Sequence, residues 1–197
     1  MKDKKSTAAN YWESRWQAKQ TGWDIGYPSY PIVQYMQSYN NKEANILIPG
    51  CGNAYEADWL DREGFQNITV LDISPTAIAN AKDKIRNTTN INFVCGDFFS
   101  YQGTFDLILE QTFFCAIPVD RRRDYIRKSS ELLRTGGRLV GVLFDREFST
   151  SGPPFGGSAA EYESLFKPYY TLECFEPCYN SIEARAGTEL FINLVKK

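Results

Sequence analysis

Ile48-Pro49-Gly50-Cys51-Gly52-Asn53-Ala54 joins a short apolar run, Ile46 to Ile48, to a segment of helical composition, Ala54 to Glu63. A strand that runs into glycines and then a helix lets a ligand approach the backbone closely. The helix amino terminus offers it unpaired N–H groups. Outward from this point the same texture repeats. Ile68 to Leu71, Ile91 to Val94 and Phe105 to Leu109 are short, apolar or β-branched runs of the kind that form buried parallel strands. Between them lies a helix over Pro75 to Arg86, with Ser74 at the N-cap and Pro75 at the first helical position. A further helix is expected over Val119 to Leu133, with Ile126, Ser130 and Leu133 on one face. It should be stopped by Gly136-Gly137 before a strand over Arg138 to Phe144. Alternating strands and helices predict a doubly wound α/β sheet. Beyond Phe144, Ser149 to Ser158 reads as a loop and Ala159 to Phe166 as a short helix. Tyr170 to Phe175 and Glu189 to Val195 read as two terminal strands able to pair antiparallel at the sheet edge.

Composition narrows what such a sheet could do. The 197 residues, 43% hydrophobic, suit a single domain with one well-buried core. A balance of 22 basic against 24 acidic residues leaves a net charge of -2, with no global field to hold a nucleic acid. A small molecule or a protein is the partner that this charge favours, a small-molecule acceptor is the one expected, and a monomer is the expected state. No stretch approaches the roughly 20 apolar residues of a membrane span, so a cytoplasmic location without membrane contact is expected. The five cysteines are scattered and odd in number, which suits reduced thiols. The chain has no histidine, which removes His-ligated zinc, Ser-His-Asp triads and Cys-His dyads together, and no metal site is expected.

Two constellations carry chemistry. Asp72 ends the second strand 20 residues after Gly52, where a carboxylate in such sheets accepts hydrogen bonds from ribose hydroxyls. Asp97, in Gly96-Asp97-Phe98-Phe99, follows the third strand, so three strand ends present nucleoside-binding groups on one edge. A dinucleotide would want a third glycine where this chain has Tyr55, so a ribose-bearing ligand without a pyrophosphate fits better. The second constellation is aromatic: Tyr11, Trp12, Trp16 and Trp23, with Trp12 and Trp16 four apart and on one helical face. Spacing alone suits core packing. Indole faces would also attract a cationic ligand.

Tyr11-Trp12-Glu13-Ser14-Arg15-Trp16, Thr21-Gly22-Trp23-Asp24, Ile48-Pro49-Gly50-Cys51-Gly52, Phe113-Phe114-Cys115-Ala116-Ile117 and Gly152-Pro153-Pro154-Phe155 together resemble the thiopurine S-methyltransferase family, and within it the thiol and halide methyltransferases. The resemblance covers nearly the whole chain. It implies a Rossmann-like, class I S-adenosylmethionine-dependent methyltransferase with a seven-stranded, mostly parallel sheet, an antiparallel last strand and helices on both faces. The cofactor implied is S-adenosylmethionine, with S-adenosylhomocysteine as product. By the resemblance Trp12, Trp16 and Trp23 contact the cofactor, Gly50 lies beside it, Asp72 holds its ribose, and Asp97 with the backbone of Phe98 reads the adenine. Gly52 and Gln111 complete the expected cofactor set, and Trp23, Phe114, Pro154 and Phe155 are candidates for the acceptor pocket.

Within one domain, residues 1–40 are expected to form an aromatic lid, 41–145 the cofactor-binding core, and 146–197 the acceptor loop and terminal strands. Thiopurine-methylating members carry an arginine just after the acidic residue that ends the fourth strand. Here Glu110 is followed by Gln111, which makes thiopurine a less favoured acceptor than a thiol, sulfide or halide. Soft nucleophiles need no strong general base. If one acts, Asp24, Glu110 and Asp145 are the candidates. Asp120-Arg121-Arg122-Arg123-Asp124 is expected to be a solvated face. Small-molecule O- or N-methylation, and cofactor binding without catalysis, are the alternatives.

Overall fold

The computed structural model describes residues 4–149 and 152–197, with side chains from Ala8 onward. Seven strands form one sheet: β1 (Asn45–Pro49), β2 (Asn67–Asp72), β3 (Ile91–Cys95), β4 (Phe105–Gln111), β5 (Leu133–Phe144), β6 (Tyr170–Pro177) and β7 (Glu189–Lys196). Their order across the sheet is β3-β2-β1-β4-β5-β7-β6. The first five run parallel, and β7 lies between β5 and β6, antiparallel to both. The expected terminal pair therefore forms, with the later strand on the inside.

Alternation along the strands explains the layers. Ile46, Ile48, Leu107, Leu109 and Val140 point to one face. There they meet Ile32 and Met36 of α2 (Tyr30–Gln37), Ala57 and Leu60 of α3 (Tyr55–Arg62), and Ile78 and Ala81 of α4 (Pro75–Lys84). Leu47, Ile108, Leu139 and Leu143 point the other way. They meet Tyr125, Ile126 and Leu132 of α5 (Arg122–Leu132), and Tyr162 and Phe166 of α6 (Ala159–Phe166). Helix α4 starts where its cap required, with Ser74 Oγ accepting from the Ala77 N–H at 3.1 Å. No helix among the described residues is long and apolar enough to cross a membrane.

Two local expectations are corrected. Helix α5 ends at Leu132 and the chain enters β5 directly at Leu133, with Gly136-Gly137 inside the strand. Leu133 pairs with Phe105 before a register shift, so cross-strand pairing overrides the helix-stop signal. The charge run before α5 is not uniformly solvated either. Asp120 and Arg123 are exposed, but Arg122 is buried, 1% exposed. Positions 150 and 151 of the expected loop over residues 149–158 lie outside the described residues, as do residues 1–3 of the expected lid.

Helix α1 (Lys4–Gln17) is tied to the amino terminus of α4 through one side chain. Glu13 accepts from Ser74 Oγ and Thr76 Oγ1, each at 2.6 Å, and from the Thr76 N–H at 3.2 Å. These donors stabilise the ionised form and hold the Glu13 carboxyl at about 2.

Candidate active site

Strand order reverses between β1 and β4, and a ligand crevice in such a sheet opens at the carboxyl ends of those strands. A cleft lies there, lined by residues that include Trp23, Asp24, Tyr27, Gly50, Gly52, Glu56, Gln111 and Thr112.

The floor is the loop after β1. Gly50 and Gly52 have φ of 61° and 52°, and Ala54 follows at 56° before α3 begins. A Cβ at Gly50 would stand 2.4 Å from Cδ2 of Phe113, so only glycine fits both the dihedral and the space. Asp72, 8% exposed, joins this loop to the next one. Its Oδ2 accepts from the Gly52 N–H at 3.0 Å, and its Oδ1 from the Ser74 N–H at 2.9 Å. Burial raises its pKa, and these N–H groups oppose the rise. Each oxygen keeps a further lone pair for a ligand hydroxyl. Asp97 caps the turn after β3 by accepting from the Phe99 N–H at 3.2 Å, and the Phe98 ring is buried against Tyr125.

The indoles assemble above this floor. Trp23 meets Trp12 and Trp16 edge-on, with centroids 5.3 and 5.9 Å away. A Cβ at Gly52 would be 3.4 Å from Cζ2 of Trp16, so that ring lies over the glycine loop. Asp24 ties this segment to the glycine loop from the other side, its Oδ2 accepting from Asn53 Nδ2 at 2.6 Å.

At the end of β4, Gln111 lines the cleft with its Oε1 buried and without a hydrogen-bond partner among the described residues. A buried acceptor left unpaired is costly, and a donor on a bound ligand would satisfy it. The next residue, Thr112, has φ of 58°, an uncommon conformation for a β-branched residue, at the cleft wall.

The remaining candidates are dispersed. Phe114 is buried against Tyr125, Tyr162 and Phe166 in the core below α5 and α6. Pro154 and Phe155 are half-buried in the loop after β5, where the Phe155 N–H donates to the Cys115 carbonyl at 2.7 Å. Asp145 accepts from the Ala159 N–H at 2.8 Å, at the start of α6. Glu110 is fully buried: Oε1 accepts from the Phe113 and Phe114 N–H groups at 2.7 and 2.8 Å, and Oε2 from the Tyr125 hydroxyl at 2.5 Å.

Burial raises the Glu110 carboxyl from 4.5 to about 7 despite those three donors. The folded protein thus holds this proton more tightly than the unfolded chain. Stability from this group is fully present below about 4.5 and is lost as pH rises through about 7. Glu110→Gln should remove that dependence, flattening the unfolding free energy from urea melts between pH 4.5 and 7 by on the order of 3 kcal/mol in total. Parallel slopes for the two proteins would show that Glu110 does not titrate in this window.

Three residues of this region escape sequence reasoning. Glu56 is a buried carboxylate in the cleft wall, accepting from the Ser29 N–H at 3.0 Å, and burial raises its pKa. As the second residue of a helix it resembles any acidic first-turn residue. Thr112 carries no compositional mark of a positive φ. Arg185, between β6 and β7, donates to the Trp23 carbonyl at 3.2 Å and pairs with Glu189 at 3.3 Å. Its 162-residue separation from Trp23 hides the contact.

Comparison with known proteins finds a matching family and fold. A family model described as Thiopurine S-methyltransferase (TPMT) matches residues 7–190. A probable thiol methyltransferase 2 of Arabidopsis thaliana is 32% identical over 162 residues, which is 80% of this chain and 71% of that protein. Thiocyanate methyltransferase 1 of the same plant is 29% identical over 185 residues, 90% of this chain and 81% of that one. Among solved structures, a magnesium protoporphyrin IX methyltransferase from Synechocystis with bound SAH superposes with a TM-score of 0.77. It is 13% identical, covering 98% of this chain and 100% of that one, so it speaks for the fold.

Proposed function

The chain belongs to the thiopurine S-methyltransferase family, and from that membership we propose that it transfers a methyl group from S-adenosylmethionine to a small soft nucleophile such as a thiol, sulfide or halide. The observation that carries the reading is the cleft at the carboxyl ends of β1 and β4, whose floor is the Gly50–Gly52 loop and whose lining includes Trp23 and Gln111.

When bound, S-adenosylmethionine supplies a methyl group already activated on a positively charged sulfur, and S-adenosylhomocysteine is left after in-line displacement. Gly50 and Gly52 let the nucleoside approach the backbone. Asp72 would accept from its ribose hydroxyls, and Asp97 with the Phe98 backbone would read the base. Trp12, Trp16 and Trp23 would hold the sulfonium end, since an indole face attracts a desolvated cation by about 2 kcal/mol. Arg185 fixes Trp23 from behind through its carbonyl. Pro154 and Phe155 would bound the acceptor side, with Phe114 supporting them from the core.

Asp24, Glu110 and Asp145 each accept hydrogen bonds from the protein, so none is assigned as a base. A thiolate, sulfide or halide needs alignment and exclusion of water more than deprotonation. The acceptor is taken as a small molecule rather than a nucleic acid, since a net charge of -2 gives no global field to hold a polyanion. Among the described residues no group of three or more His, Cys, Asp or Glu could hold a metal ion.

The test is transfer of a labelled methyl group to a panel of sulfide, small thiols, iodide, a thiopurine and small alcohols and amines. Product is expected from the sulfur and halide acceptors, with thiopurine the poorest sulfur acceptor because Gln111 supplies no fixed charge. Product from alcohols or amines alone would replace this reading with O- or N-methylation. Cofactor binding without any transfer would make the protein a non-catalytic binder.

A further inference from the structure

Arg122 opens α5 and is 1% exposed, yet it meets a single carboxylate. Its Nη1 donates to Glu161 Oε1 on α6 at 3.1 Å, and that carboxylate is 40% exposed. The other end of the fork points at the loop after β5. Nη2 donates to the carbonyls of Phe155 at 3.2 Å and Gly156 at 2.6 Å. The guanidinium carbon lies 4.9 Å from the Phe114 ring centroid and 5.2 Å from that of Tyr162. Nε is buried without a hydrogen-bond partner among the described residues. A buried guanidinium with Nε unpaired is costly, and an apolar side chain of similar size would pack the same space at less cost. Stability alone therefore does not account for an arginine here.

The loop it grips is held from three directions. The Phe155 N–H donates to the Cys115 carbonyl, its own carbonyl accepts from Arg122, and the Gly157 N–H donates to the Arg146 carbonyl at 3.0 Å. Cys115 lies in the turn that follows Phe113, the ring packed beneath Gly50. Phe155 is thus fixed in relation to the floor of the cleft through protein bonds on both sides of its peptide. We propose that Arg122 is a positioning residue that sets where Phe155, proposed above to bound the acceptor side, sits relative to the cleft floor, and through it the size of acceptor admitted. The proposal rests on the reading of this cleft as a methyl-transfer site. Lysine cannot replace the fork, because one ammonium on a flexible stem cannot bridge two carbonyls and a carboxylate while stacking on two rings.

The test compares wild type with Arg122→Lys in three measurements. Amide exchange at Phe155–Gly157 should quicken about tenfold while β1 and β4 stay protected. S-adenosylhomocysteine affinity should stay within about twofold by calorimetry. For the acceptors turned over, KM for the bulkiest thiol should rise about tenfold relative to sulfide, with kcat for sulfide little changed. Unchanged exchange in the loop overturns the clamp, whatever the acceptor. Equal losses in cofactor affinity and in every acceptor also overturn it, since they mark general damage. If Arg122→Lys does not fold, Glu161→Gln removes the exposed partner and should shift acceptor preference the same way by a smaller factor; no shift overturns the proposal. Failure of the underlying reading looks different, because wild type itself would then methylate nothing in the panel.

Discussion

Asp72→Ala should weaken S-adenosylhomocysteine binding by roughly 100-fold, about 2.7 kcal/mol, and lower the melting temperature of the free protein as well. Two losses coincide at this residue. Its free lone pairs are the proposed acceptors for ribose hydroxyls, and hydrogen bonds to a charged group contribute about 1.5–3 kcal/mol. Its bonded lone pairs hold the Gly52 and Ser74 N–H groups at 3.0 and 2.9 Å. Truncation leaves both donors unpaired at about 1–3 kcal/mol each unless water enters, and for a chain of this length each kcal/mol lowers Tm by roughly 2–4 °C. Asp72→Asn is the informative companion. It keeps the volume but turns one oxygen into a donor that faces a donor, so most of the loss should remain. Calorimetry with the product nucleoside checks the first effect and thermal melts the second. Unchanged affinity in Asp72→Ala would remove the ribose assignment, even if the melt moved as expected.

Gly50→Ala should be the most damaging single methyl group in the floor of the cleft. A left-handed dihedral costs an L-residue about 1–2 kcal/mol, and overpacking typically adds 1–3 kcal/mol. The overlap here is severe because the new Cβ meets not only Cδ2 of Phe113 at 2.4 Å but also Cγ at 2.9 Å and Cβ at 3.1 Å. The ring cannot swing aside freely. It packs against Phe98 and Tyr125 with centroids 5.2 and 5.9 Å away, and its own N–H is held by Glu110. A stability loss of about 3–4 kcal/mol in urea denaturation is expected, together with loss of nucleoside binding. Adding Phe113→Ala should return the overlap part of that loss and leave the dihedral part. A Gly50→Ala protein as stable as wild type would mean that this loop does not hold the conformation described.

The first half of the sheet was legible because its signals are local. Ser74-Pro75 marks a helix start wherever it stands, and the passage from Ile46 through Gly52 to α3 is a strand, turn and helix in consecutive residues. What escaped is set by distant partners. Leu133 enters β5 because Phe105 lies opposite it, which no property of Gly136-Gly137 reveals. Arg122 sits among charges that suit a solvated face, and it is buried because carbonyls more than 30 residues later converge on it. Glu110, a candidate base from its place at a strand end, turns inward to the Phe113 and Phe114 amides and Tyr125. Of the candidate site, the groups on the loops after β1 and β2 were readable from spacing. The acceptor side was not, since loop conformation and tertiary contact build it.

The insertion of β7 between β5 and β6 constrains the order of assembly. Residues 170–177 have no seat in the sheet until residues 189–196 have docked on β5, because β6 pairs with β7 rather than with any earlier strand. During synthesis the first five strands can associate as a parallel platform, whereas Tyr170–Pro177 must wait with its hydrogen-bonding groups unpaired. Leu190, Ile192 and Leu194 then close the layer beneath α5 and α6 in a late, long-range step. The residues proposed to bound the acceptor follow β5 in the chain, so a nascent chain would complete its proposed nucleoside edge before the proposed mouth for the second substrate took shape.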